Sequence, residues 1–113
     1  MKRKAVMALT VVLILAFAVA TAFAAGNERK GKRTWKKSCR TACHDGSQAS
    51  NLSPVSKTQA QWKALFDAEH AKIDAAHKAK NVAIDGLQAS DWEDMFEYLK
   101  GHALDSDQPE TCG

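Results

Sequence analysis

Gly31-Lys32-Arg33-Thr34-Trp35-Lys36-Lys37-Ser38-Cys39-Arg40-Thr41-Ala42-Cys43-His44 is the stretch from which the rest of the chain is read. Gly31, Trp35 and Cys39 recur at steps of four, so on a helix they share one face. Asn27 stands where an N-cap accepts from the first free amides, and Glu28 suits the positive end of a first turn. The pattern predicts a helix from Asn27 to Cys39. Gly31 leaves a notch in its face where another helix can approach, with Phe96 or Tyr98 as the side chain that fills it.

The end of this stretch carries chemistry. Two cysteine thiols can add across the two vinyl groups of a haem, and a histidine directly after the second is then placed beneath the iron. The usual spacing is Cys-x-x-Cys-His; here three residues separate Cys39 from Cys43, which a bulge in the backbone can absorb. The residues therefore predict one covalent haem c bound by Cys39, Cys43 and His44, with His44 on the iron. The same side chains leave other chemistries open. A disulfide suits an exported protein, although two helical cysteines four apart pair only with distortion. A zinc or copper ion could take Cys39, Cys43, His44 and a further histidine. Cys112 is left over, either a free thiol or an intermolecular bridge.

Towards the N-terminus, Met1-Lys2-Arg3-Lys4 is basic and an apolar run extends from Ala5 to Ala24, ending in Ala22-Phe23-Ala24. This is the form of a cleaved secretory signal over residues 1–24, leaving one domain over 25–113. A retained anchor is the competing reading, because a run of about 20 residues just spans a bilayer. Cleavage leaves no segment suited to stable membrane insertion. It also removes Lys2, Arg3 and Lys4 from the 16 Lys and Arg, leaving 13 against 13 Asp and Glu. A near-neutral domain is a poor nucleic-acid binder. The charge is uneven, however. Arg29, Lys30, Lys32, Arg33, Lys36, Lys37 and Arg40 face only Glu28 in sequence, a solvated helix face or a patch that steers an acidic partner.

Towards the C-terminus, Asp45 to Val55 holds Gly46, Asn51 and Pro54 and reads as a loop. Ser56-Lys57-Thr58-Gln59 fits a capping box that opens a helix running to about Lys80, with Trp62, Leu65, Phe66, Ile73 and Ala76 on its apolar face and Glu69 interrupting it. Asn81 to Gln88 is a connection. Ser90-Asp91-Trp92-Glu93 fits a second box, followed by Trp92, Met95, Phe96 and Leu99 at one-face spacing until Gly101. The tail, residues 105–113, is polar and expected to be loosely ordered. No stretch alternates as a strand does, so the class is all-α.

On Gly31, Trp35, Cys39, Cys43, His44 and the aromatic last helix, the chain resembles the class I cytochrome c family. The resemblance implies a three-helix domain wrapped around one haem, with the first and last helices crossing near the glycine. The closing stretch, His102 to Gly113, looks like the tails of small monohaem cytochromes of sulfur- and metal-reducing anaerobes, which implies a periplasmic electron carrier rather than an enzyme. Such relatives commonly bind the iron's other face through a Met before the last helix, but no Met lies between His44 and Ser90. Two histidines on the iron are therefore expected, with His70 ranked first and His77 second. Seven residues separate them, roughly 10 Å along an intact helix, so one iron could not use both. Met95 suits the core and His102 a helix end. A bis-histidine iron implies a low potential. The competing functions are a haem enzyme with an open iron position and an exported interaction protein stapled by a disulfide or a metal ion.

Overall fold

Asn27 begins the fold by making two bonds at once. Its side chain accepts from the Lys30 amide at 2.9 Å, and its own amide donates to Asp94 Oδ1 at 2.6 Å. The computed structural model describes residues 26–111; the expected signal over 1–24 and Cys112 lie outside the described residues. α1 spans Glu28–Trp35 and runs directly into a π turn over Lys36–Arg40. A 3₁₀ turn, Pro54–Ser56, precedes α2, Gln59–Ala79, and α3 closes the order over Ala89–Gly101. The described residues are all helical or irregular, with no strand, as the sequence pattern predicts. None of their helices is long and apolar enough to cross a membrane.

α1 crosses α3 at Gly31. A Cβ built there would stand 1.9 Å from the Asp94 carbonyl oxygen and 2.8 Å from the Met95 amide nitrogen. The notch is thus filled by the backbone of α3, and not by the side chain of Phe96 or Tyr98 as the sequence suggests. Asp94, buried at the start of α1, holds the crossing. It takes the Asn27 amide on Oδ1 and faces Lys30 Nζ at 3.6 Å from Oδ2. A buried carboxylate is tolerable there because the positive end of α1 and an ammonium both face it.

Trp35, Trp62, Trp92, Met95, Tyr98, Leu99 and Ala103 form the buried core around that crossing. Trp62 is 2% exposed and donates from Nε1 to the Pro54 carbonyl at 2.8 Å, so the 3₁₀ turn is tied to the core. Trp35 meets Trp62 edge-on at 5.8 Å, a favoured arrangement of two rings.

Three sequence expectations change. The N-caps are Thr58 and Gln88, not Ser56 and Ser90. Gln61 Oε1 takes the Thr58 amide, Thr58 Oγ1 takes the Gln61 amide, and Asp91 Oδ2 takes the Gln88 amide. The expected continuous helix to Lys80 is broken instead. Asp67 is extended, and Ala68, Glu69 and His70 take φ of 53°, 54° and 55°. Each non-glycine residue in this left-handed region costs about 1 to 2 kcal/mol. The tail is tied down rather than loose. Leu104 donates to the Lys57 carbonyl at 3.1 Å, Asp105 Oδ1 takes the Gln59 amide at 2.8 Å, and Tyr98 Oη donates to Glu110. Burial, reinforced by that hydrogen bond, holds the Tyr98 phenol well above its ordinary range.

The backbone contact at Gly31 yields a direct expectation. Gly31→Ala forces α1 and α3 apart and should cost about 3 kcal/mol, lowering the melting temperature by about 10 °C or more in a circular-dichroism melt. An unchanged melting temperature contradicts the crossing described here.

Candidate functional site

The π turn answers the question posed by the long cysteine spacer. Thr41 donates to the Lys36 carbonyl at 2.8 Å and His44 to the Cys39 carbonyl at 2.9 Å, both across five residues. A wider turn of this kind absorbs one extra residue in a helix. Cys39 packs on the core cluster, Cys43 is half-buried, and both are free thiols. Burial, with a smaller contribution from the neighbouring Cys43, pushes the Cys39 thiol up to about 11, so it keeps its proton at neutral pH.

His44 is held from behind. Its Nδ1 lies 3.0 Å from the Ser50 carbonyl. A carbonyl can only accept, so Nδ1 carries a proton, which in the neutral ring puts the lone pair on Nε2. The loop that brings Ser50 back is built locally. Gly46 turns at φ +96°, Ala49 donates to the Cys43 carbonyl at 3.0 Å, and Leu52 to the His44 carbonyl at 3.1 Å. Asp45 Oδ1 accepts from the Ser47 amide at 2.9 Å and from its hydroxyl at 2.5 Å. Those two bonds hold the Asp45 carboxyl below its ordinary range.

His77 is held in the same way from the other side. Its Nδ1 donates to the Ile73 carbonyl, one helical turn back in α2, at 2.7 Å. The two imidazoles meet edge to face, with centroids 5.9 Å apart and planes at 72°. With a metal–imidazole bond of about 2 Å, two rings on opposite sides of one metal ion sit about 6 Å apart by centroid. The structure therefore brings together His44 and His77 at a centroid spacing that one shared metal ion would need, with Nδ1 of each directed at a backbone carbonyl.

The other candidates stand elsewhere. His70, ranked first from sequence, lies flat on Trp92, with ring centroids 3.7 Å apart and planes within 12°. Its Nδ1 is 3.0 Å from Asp74 Oδ2, an ion-pair approach without the direction of a hydrogen bond. Met95 is fully buried in the core. His102 pairs with Glu28 and with the Gln108 carbonyl, the latter at 2.8 Å.

A cleft of about 650 Å³ opens between α2 and α3, walled by Phe66, Ile84, Leu87, Trp92 and Phe96 together with Asp67, Glu69, His70, Asp74 and Glu93; Cys39, Cys43, His44 and His77 do not line it. A second, of about 500 Å³, lies beside His77 and shares Ile84 and Asp74 with the first. Among the described residues no three of His, Cys, Asp and Glu converge on a point where they could hold a bare metal ion.

No family model, curated protein or solved structure matches this chain.

Six of the seven basic residues of the stretch divide into two sets; the seventh, Arg40, is half-buried and, after the Ser47 bonds, helps to lower the Asp45 carboxyl. Lys30 is 3.6 Å from Asp94 and Lys32 is 3.5 Å from Glu110. Arg29, Arg33, Lys36 and Lys37 are exposed, and among the described residues they make no ion pair. They recur at steps of four and three, on the side of α1 away from those pairs, and lead into the cysteine motif.

What sequence reading missed is backbone. The carbonyls of Ser50 and Ile73 that orient the two imidazoles leave no side-chain signature. The helix break that separates the surroundings of His70 from those of His77 is one that nothing in residues 67–70 announces. The loop behind His44 gives a pH expectation. Because the Asp45 value is depressed by folding, its contribution is present above the ordinary aspartate value near 4 and is lost as pH falls through the folded value. An NMR titration of the Asp45 carboxyl should move up towards that ordinary value in Ser47→Ala. No movement would mean that Ser47 does not hold this turn.

Proposed function

We propose that this chain is an exported monohaem electron carrier of the class I cytochrome c kind. In this reading Cys39 and Cys43 would hold one haem c by thioethers, and His44 and His77 would bind its iron. The observation that carries it is the pair of imidazoles with centroids 5.9 Å apart, one of them directly following the two-cysteine motif. His77 takes the place that the sequence alone gave to His70.

The donor set suits the group. Two free thiols one turn apart and two imidazoles whose Nδ1 atoms face backbone carbonyls are groups that a covalent haem uses, and the cleft beside His77 adjoins the one walled by Phe66, Trp92 and Phe96. When bound, the haem supplies a one-electron couple at its iron. The chain's residues do the rest. The Ser50 and Ile73 carbonyls orient the imidazoles and raise their basicity through the Nδ1 protons. Two nitrogen ligands and no thioether on the iron favour the ferric state, which implies a low potential. Phe66, Ile84 and Phe96 would keep water from the porphyrin faces. The order of elements, with first and last helices crossing at a glycine and the cysteine motif closing the first, supports the class I likeness.

The cations Arg29, Arg33, Lys36 and Lys37, exposed and without an ion pair among the described residues, lead into Cys39 and would favour an acidic redox partner. Export to the periplasm through residues 1–24 belongs to the same reading, which includes no catalysis and no nucleic acid.

Natively matured protein should carry the mass of one haem on the chain, and its ferric spectrum should be low-spin. His77→Ala should turn that spectrum high-spin. A chain mass without added haem removes the proposal, and a low-spin spectrum in His77→Ala removes His77 as ligand. Oxidation of the reduced protein by hexacyanoferrate(III) should slow as salt is raised and slow again in Arg33→Glu/Lys36→Glu. A rate indifferent to both would detach the cationic stripe from electron exchange.

A further inference from the structure

The two halves of α2 differ in how they are held. The first half is anchored by Trp62, 2% exposed, and by Phe66, which meets Trp92 at 6.0 Å and Phe96 at 5.3 Å. The second half, residues 71–79, is exposed apart from the half-buried Ile73 and His77. Ile73 packs on the core, and beyond it this half has little packing of its own to fix where His77 points. Its bearing is set by the turn that joins the halves, where Ala68, Glu69 and His70 all take φ between 53° and 55°.

Such a turn persists only where its surroundings hold it. Ala68 and Glu69 are exposed. His70 is the residue of the three whose side chain is packed. Its ring lies on Trp92 of α3 at 3.7 Å, and Nδ1 stands 3.0 Å from Asp74 Oδ2 in the second half of α2. One imidazole thus bridges the core and the segment that carries His77.

We propose that His70 is a positioning residue, a clamp whose stacking on Trp92 holds the left-handed turn and so presents His77 to His44. The proposal rests on the haem reading above. It assigns a different task to the histidine that the sequence favours as ligand. The clamp needs a flat ring at position 70 and no metal-binding nitrogen. Relieving the turn by other means should make the ring dispensable.

The test uses the haem-loaded protein and follows carbon monoxide binding to the ferrous form, which requires that the distal imidazole leave the iron. His70→Ala should bind carbon monoxide about tenfold faster, because the fraction with His77 away from the iron rises by that factor. His70→Phe keeps a ring on Trp92 and should behave as the wild type, with a low-spin ferric spectrum. Ala68→Gly and Glu69→Gly, added to His70→Ala, should return the rate towards wild type, since glycine takes positive φ without cost. A wild-type rate in His70→Ala overturns the clamp. So does a high-spin spectrum in His70→Phe, which would make His70 a ligand itself. Wild-type protein that matures without haem fails at the first step, and that failure belongs to the haem reading and takes this proposal with it.

Discussion

At Gly31 two helices touch backbone to backbone, and the positions of the functional side chains are referred to that contact. With no Cβ on α1, the Asp94–Met95 peptide of α3 comes within 1.9 Å of where one would stand. The approach puts the aromatic face of α3 against Trp35 and fixes the direction in which α1 delivers Cys39. It also brings the buried Asp94 carboxylate over the start of α1, where the Asn27 amide and Lys30 meet it. The crossing is thus a packing contact and an electrostatic one, and neither survives alone. A wider gap would leave a buried carboxylate without its partners.

From that frame two segments reach towards each other. The first is the π turn and the loop behind it, which present His44 with its Nδ1 committed to Ser50. The second is the redirected half of α2, which presents His77 with its Nδ1 committed to Ile73. Both imidazoles are set by backbone carbonyls, groups that do not titrate and do not change rotamer. In the proposed carrier this arrangement prepares both iron ligands before the metal arrives, which limits rearrangement when the electron moves. The accompanying cost is the left-handed turn at residues 68–70.

The helical class, the three elements and the apolar face of α3 are legible in the sequence because they depend on periodicity and short-range capping. Gly31 is legible as a close approach, but its filler is not, since a backbone has no residue type to read. The caps move by two residues because Ser, Thr and Gln offer overlapping boxes at both helix starts, and tertiary contacts choose among them. The tail reads as loose because its polar residues bury little surface; it is held by specific bonds from Asp105 and Glu110 that no pattern announces. The cysteine motif and His44 are plain in the sequence. His77 is present there only as one of several histidines, and the helix break at residues 67–70, where His70 stacks on Trp92, has no local signature.

The account turns on one iron lying between two particular side chains. A crystal structure of natively matured protein, with diffraction measured on both sides of the iron absorption edge, tests this most directly. The account predicts a single anomalous peak between His44 Nε2 and His77 Nε2, about 2 Å from each. A peak against any other side chain, or none at all, would contradict it.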